Sequence, residues 1–279
     1  VIATPNSMHV EGGLAAIAAG LPTLVEKPIA DDPALGARLV AAAARAGVPL
    51  LVGHHRRHGE IVRRAKEIVA SGRLGRVVAA HAFFWLMKPD DYFDVGWRRE
   101  KGAGPILVNL VHDVDLLRHL VGEIVAVRAS RSNAVRGNPV EEGCVALLEF
   151  AGGALGTLNA SDSVVAPWSW EHSSGENPSY PRAGGDCYFL GGTKGSLSVP
   201  RLETWENEGA PGWLEPFRTT RATAADRDPL AAQMAHFGRV IRGEETPLVS
   251  GAEGLATLRA VHAIARAAET GERVEVAPG

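Results

Sequence analysis

The opening of the chain restricts its fold more than any other feature. Short apolar runs at Val1 to Thr4, Thr23 to Glu26 and Pro49 to Gly53 alternate with helix-length stretches at about Met8 to Ala19 and about Pro33 to Ala46. Strands separated by single helices predict a parallel sheet, because parallel neighbours need a crossover and such crossovers are right-handed. The punctuation agrees with this. Gly20 closes the first helix; Asp32 caps the second, Pro33 fits its first turn and Gly47 ends it. Ligands of such sheets lie beyond the carboxyl ends of the strands, where Thr4-Pro5-Asn6 and Glu26-Lys27-Pro28 fall.

After His54 the pattern changes. A helix is expected near Ile61 to Ser71, a strand near Arg76 to Met87 and a helix near Ile106 to Val121. Strand-like runs follow at Ile124 to Asn133, Gly143 to Phe150 and Leu155 to Ser161, with a glycine turn between the last two. Shorter strands are expected near Cys187 to Leu190 and Ser196 to Val199, then helices at about Pro229 to Arg242 and Glu253 to Glu269. Ser250 and Glu253 have the spacing of a capping box, and Gly271 is a stop. The reading is an α/β unit followed by an α+β unit with a mostly antiparallel sheet.

Composition narrows the function. Twenty-nine basic against thirty-two acidic residues give a net charge of −3, so no strong field selects a nucleic acid or a membrane surface as partner. The longest apolar stretches, Leu14 to Val25 and Leu35 to Val52, are cut by Gly, Pro or Arg before they reach the roughly 20 residues of a membrane span. Cys144 and Cys187 are the only cysteines, which suits a reducing compartment, and the cytoplasm is the expected location.

Two features carry chemistry. Lys27 follows an apolar strand directly and precedes a proline, which restricts its backbone and aims the ammonium at the ligand edge; the competing reading is a solvated strand-end charge. The helix expected over Ile106 to Val121 is apolar except for a stripe of Asn109, His112 and Asp115, three residues apart, which faces either a cavity or an internal hydrogen-bond network. In the first case His112 is a general base oriented by Asp115; in the second the pair is structural. No third ligand accompanies His112 to suggest a zinc site, and no metal is expected.

Ala3-Thr4-Pro5-Asn6-x-x-His9, then Glu26-Lys27-Pro28, then Gly104-Pro105 leading into Asn109-x-x-His112-x-x-Asp115, in this order, resemble the Gfo/Idh/MocA family of nicotinamide-dependent oxidoreductases. The resemblance implies a Rossmann unit, here residues 1–57, joined to an α+β substrate and oligomerisation unit, 58–279, with NAD or NADP between them. It matches Lys27 to the catalytic lysine and His112 to the active-site histidine. It places Thr4, Pro5, Asn6, His9, Glu26, Lys27 and Pro28 along the nicotinamide half of the cofactor, with Trp97-Arg98 also approaching it. The implied reaction moves a hydride from a secondary alcohol of a sugar, cyclitol or polyol. Asn109, Trp168 and Arg57 are the candidate substrate contacts, and the stretch Val164 to Tyr180 is long enough to cover a pocket.

Two departures qualify the resemblance. The family's glycine-rich phosphate loop is expected roughly 70 residues before the lysine, whereas 26 residues precede Lys27, so an N-terminally truncated chain is expected, inactive when expressed alone. Many members also carry an aspartate four residues before the histidine, where this chain has Val108. Rival outcomes on the same fold are a cofactor-retaining isomerase, epimerase or hydrolase, and a sugar-sensing binding protein. Apolar residues at successive positions in Val145-Ala146-Leu147-Leu148 predict a homodimer or homotetramer through the open sheet face.

Overall fold

The computed structural model describes residues 1–277. Helix α1 (His9–Ala18), strand β1 (Thr23–Val25), helix α2 (Pro33–Ala46) and strand β2 (Leu50–Val52) follow the expected alternation. β1 and β2 pair in parallel, Leu24 opposite Leu51, and Ile2 makes a parallel bridge to Val25. The caps act as predicted: Asp32 Oδ1 accepts from the amides of Ala34 at 2.7 Å and Leu35 at 3.2 Å, and Gly47 ends α2 at φ 64°.

The second unit is a nine-stranded sheet with helices on one face. Its helices are α3 (Glu60–Ala70), α4 (Pro105–Val108), α5 (Leu110–Val121), α6 (Trp170–Ser174) and α8 (Gly251–Thr270), while α7 (Pro229–Ile241) packs Phe237 and Val240 on Leu24 and Leu51 of the parallel pair. Its strands are β3 (Val77–Trp85), β4 (Ile124–Ser132), β5 (Gly143–Phe150), β6 (Leu155–Ser161), β7 (Tyr188–Gly192), β8 (Gly195–Val199), β9 (Glu203–Asn207), β10 (Phe217–Arg221) and β11 (Val274–Glu275), in the order β10-β9-β8-β7-β3-β6-β5-β4-β11. Among the described residues of this sheet, only the neighbours β3 and β6 run parallel. β9 and β10 escape the sequence because β10 is exposed at every position and therefore has no apolar period.

Alternation decides the faces. Cys144, Ala146, Leu148 and Phe150 of β5 point into the core with Leu110, Val114 and Leu117 of α5 and Val261 and Ile264 of α8. Val145 and Leu147, with Leu155 of β6 and Phe189 of β7, stand exposed on the opposite face.

α8 joins the two units. Its N-cap Ser250 bridges to Leu51, Val52 N donates to Val249 O at 3.0 Å, and Val249 and Leu258 complete a core with Val10, Val25, Leu39 and Val52. This core therefore draws on residues from both sides of the expected boundary at 57. Only half of the capping box forms: Ser250 Oγ accepts from Glu253 N, while the Glu253 carboxylate turns to Arg57.

The helix expected over Ile106 to Val121 is two helices. Pro105 starts α4, and Asn109, at φ −105° and ψ −51°, separates it from α5. Asparagine suits such a junction because its side chain hydrogen-bonds as readily outside a helix as within one, and here it bonds to Lys88.

Candidate active site

Lys27 is placed by the end of the parallel pair. Beyond Val25, Glu26 N donates to Ile2 O at 2.9 Å and Gly53 N to Val25 O at 2.8 Å, which fixes the turn-out of the chain. Gly53 leaves room for Glu26 to fold back, since a Cβ there would sit about 3.0 Å from its carboxylate, and Glu26 Oε2 accepts from Lys27 N at 3.2 Å. The Lys27-Pro28 peptide is cis. Lys27 and His112 line one cavity of about 390 Å³, together with Asn109, Arg56, Trp170 and Tyr180.

His112 meets the edges of two other histidines, its ring centroid 5.4 Å from that of His55 and 6.4 Å from that of His54. Burial, then the positive charges of Lys27 and Arg56, hold its pKa well below 6.5, so the ring is a neutral proton acceptor at pH 7. Burial and Arg56 likewise lower the pKa of Lys27 from 10.5. Among the described residues, neither the Lys27 ammonium nor the His112 ring has a hydrogen-bonding or ion-pairing partner in the protein. Two unsatisfied polar groups facing one cavity are what a ligand hydroxyl needs.

The remaining expected site residues divide. Thr4, Pro5 and Asn6 are exposed, and they are not among the residues that line the cavity. His9 is buried, and its ring nitrogens face Pro28 O at 2.8 Å and Thr4 O at 2.9 Å; it ties the two strand-end loops together and does not offer its ring to a ligand.

Asp115 does not orient His112. Its carboxylate takes both Arg57 Nε at 2.8 Å and Arg57 Nη2 at 2.7 Å, with Thr257 Oγ1 at 3.0 Å. A bidentate guanidinium outcompetes a neutral ring three residues away. The same bonds remove Arg57 from the candidate substrate contacts: it is buried and spent on Asp115 and, through Nη1 at 3.0 Å, on Glu253.

Trp168 also lies elsewhere. It packs 5.4 Å from Trp85 and 6.1 Å from Phe83, centroid to centroid, on the exposed sheet face, whereas Trp170, two residues on, lines the cavity. Trp97 is 58% exposed, and Arg98 stacks 4.1 Å over Tyr92; neither belongs to the cavity wall.

Sequence reasoning missed two contributors. Arg56 reaches Glu171 Oε1 at 2.8 Å and Asp113 Oδ1 at 3.2 Å, with the Tyr188 hydroxyl also donating to Asp113, so a buried cation is held at the cavity wall. Nothing in His54-His55-Arg56-Arg57-His58 separates it from its neighbour. Lys88, whose Nζ meets Asn109 Oδ1 at 3.0 Å and Asp162 Oδ2 at 3.1 Å, does have a signal: like Lys27, it follows an apolar strand and precedes a proline.

Comparison with known proteins agrees with this architecture. A family model described as oxidoreductase family, NAD-binding Rossmann fold, matches residues 1–54, and the GFO/IDH/MocA C-terminal domain model matches residues 62–198. The chain is 29% identical over its whole length to 1,5-anhydro-D-fructose reductase of Ensifer adhaerens, of which it covers 79%. It is 36% identical over 56% of its length to inositol 2-dehydrogenase of Streptomyces avermitilis, covering 44% of that protein. The WlbA dehydrogenase of Bordetella pertussis, solved with NADH and UDP-GlcNAcA, superposes with a TM-score of 0.76 at 26% identity, over 99% of this chain and 78% of that one.

Proposed function

The chain belongs to the Gfo/Idh/MocA family of oxidoreductases, and on that premise we propose that its cavity is the active site of a dehydrogenase acting on a secondary alcohol of a sugar, cyclitol or related polyol. The observation that carries the reading is the meeting of Lys27 and His112, both without side-chain partners among the described residues, across one cavity at the carboxyl end of the parallel strands. Similarity to a reductase of an anhydro sugar and to an inositol dehydrogenase supports the substrate class.

The exposed Thr4, Pro5 and Asn6 and the half-buried Glu26–Pro28 turn, tied together by His9 next to Lys27, would hold the nicotinamide half of NAD or NADP. Bound there, the cofactor would supply the hydride acceptor. His112, kept neutral by burial and by the cations around it, takes the hydroxyl proton of the substrate. Lys27 donates a hydrogen bond to the same oxygen and stabilises the negative charge that develops on it; the burial that excludes water strengthens this contact. Asn109 faces the substrate from the junction of α4 and α5. Arg56 stands in the cavity wall, held in place by Glu171 and Asp113.

The same reading includes a homo-oligomer formed through the exposed sheet face, where Val145, Leu147, Leu155 and Phe189 lie beside the Phe83, Trp85 and Trp168 cluster. The activity is tested with the full-length protein by following reduction of NAD and NADP at 340 nm with myo-inositol and 1,5-anhydro-D-glucitol, and oxidation of NADPH and NADH with 1,5-anhydro-D-fructose. Net cofactor turnover with at least one of these supports the dehydrogenase reading; turnover with none, despite cofactor binding, contradicts it.

A further inference from the structure

Asn109 is ambiguous in sequence, because its side chain can offer a donor or an acceptor. The structure resolves the ambiguity through Lys88. An ammonium has three donors and no acceptor, so the atom it meets at 3.0 Å has to be the carbonyl oxygen, Oδ1. The amide nitrogen is then the other prong of the side chain, at the wall of the cavity that holds Lys27 and His112.

Lys88 itself is not free to turn. It is buried, its Nζ is 3.1 Å from Asp162 Oδ2, and its backbone amide donates to Asp162 O at 2.9 Å. Arg136 braces the same corner, donating to Asp162 Oδ1 at 2.7 Å and to Lys88 O at 3.1 Å. Its ammonium also lies over the Tyr92 ring, with Nζ 5.0 Å from the centroid.

We infer that Lys88 is a positioning residue that locks the Asn109 amide with its N–H groups toward the substrate, so that the site selects polyols with an acceptor oxygen next to the reacting carbinol. This rests on the dehydrogenase reading. Lys27 and Asn109 then present donors and His112 an acceptor, in a cavity whose wall also carries the Glu171, Glu176 and Asp228 carboxylates, and a donor at Asn109 favours an ether, carbonyl or hydroxyl oxygen over a bare methylene at the group it meets.

The test is a double-mutant cycle in the full-length protein, with whichever of myo-inositol or 1,5-anhydro-D-fructose it turns over. Asn109→Ala removes one hydrogen bond to a neutral acceptor and should lower kcat/KM by about 3- to 10-fold, chiefly through KM, because that bond exists before and during the reaction. Asn109→Asp keeps the contact with Lys88 but turns an acceptor to the substrate, and should lower kcat/KM more than Asn109→Ala does. Lys88→Met should match Asn109→Ala and add nothing to it when the two are combined, whereas a merely structural lysine would have the same effect in either background. Additive effects overturn the inference and leave the dehydrogenase reading intact. No turnover by the wild-type protein overturns both. If Lys88→Met does not fold, the two Asn109 variants decide: a KM for Asn109→Asp equal to that of the wild type refutes a fixed donor.

Discussion

Replacing Asp115 by Asn separates the two roles this residue can have. In the structure Asp115 is buried and holds Arg57 through two hydrogen bonds of 2.7 and 2.8 Å, with a third bond from Thr257. His54 stands between it and His112, with Nδ1 3.9 Å from the carboxylate. Removing one partner of a buried ion pair costs about 3–5 kcal/mol, and because Glu253 still meets Arg57 at 3.0 Å, the lower end of that range applies. At roughly 2–4 °C per kcal/mol for chains approaching this size, Asp115→Asn should lower Tm by about 6–12 °C. The pH dependence follows from the pKa of Asp115. Burial raises it, but His54 and Arg57 outweigh burial and hold it below 3.8. The stabilisation is therefore present above the ordinary carboxylate range and is lost as pH falls through the folded value, and the variant should lose that part of the acid sensitivity. Calorimetric scans from neutral to acid pH, paired with kcat/KM profiles, provide the assay. An unchanged Tm with a displaced acid limb of kcat/KM would refute the reasoning and return Asp115 to the role of orienting His112.

Other expectations follow from the same structure. With His112 held well below 6.5 and Lys27 below 10.5, kcat/KM measured from about pH 5 to about pH 10 should show an acid limb under 6.5 and an alkaline limb under 10.5; an acid limb at or above 6.5 would contradict a neutral, buried base. Gly254 of α8 has no space for a Cβ against the Val52 side chain, so Gly254→Ala should destabilise the protein by about 1–3 kcal/mol in urea unfolding, and a neutral effect would mean that α8 does not press on β2. Lysine at both Val145 and Leu147 should convert the full-length protein to monomers by light scattering without unfolding it, and an unchanged mass would move the interface elsewhere.

The sequence was most legible where a local rule decides the outcome. Asp32, Pro33 and Gly47 bound α2 as their chemistry demands, and the position of Lys27 just beyond β1 follows from the crossover rule, whereas the strand expected over Val1 to Thr4 is reduced to the single Ile2–Val25 bridge. It was least legible where two partners compete for one side chain. The spacing of Asn109, His112 and Asp115 reads as one stripe, yet a lysine from the end of β3 claims the first and an arginine after β2 claims the third, leaving only His112 without a protein partner. Spacing of i and i+3 states which residues share a helix face and is silent on what approaches that face from elsewhere. The same limit accounts for Trp168 and Trp170, which differ by two positions and fall on different sides of the sheet edge. Arg56 and Arg57 diverge at a tight turn, each finding its own aspartate on α5.

In the proposed mechanism Lys27 acts on the substrate oxygen and does not merely hold the fold. That role is tested most directly by Lys27→Met in the full-length protein, with cofactor affinity measured by fluorescence titration and hydride transfer by rapid mixing with a polyol that the wild type turns over. The variant should fold, bind NAD or NADP within a few-fold of the wild-type affinity and transfer hydride at least about 100-fold more slowly, the loss expected when an electrostatic contact to the developing charge is removed. Hydride transfer at the wild-type rate in a variant that binds cofactor normally would contradict that role.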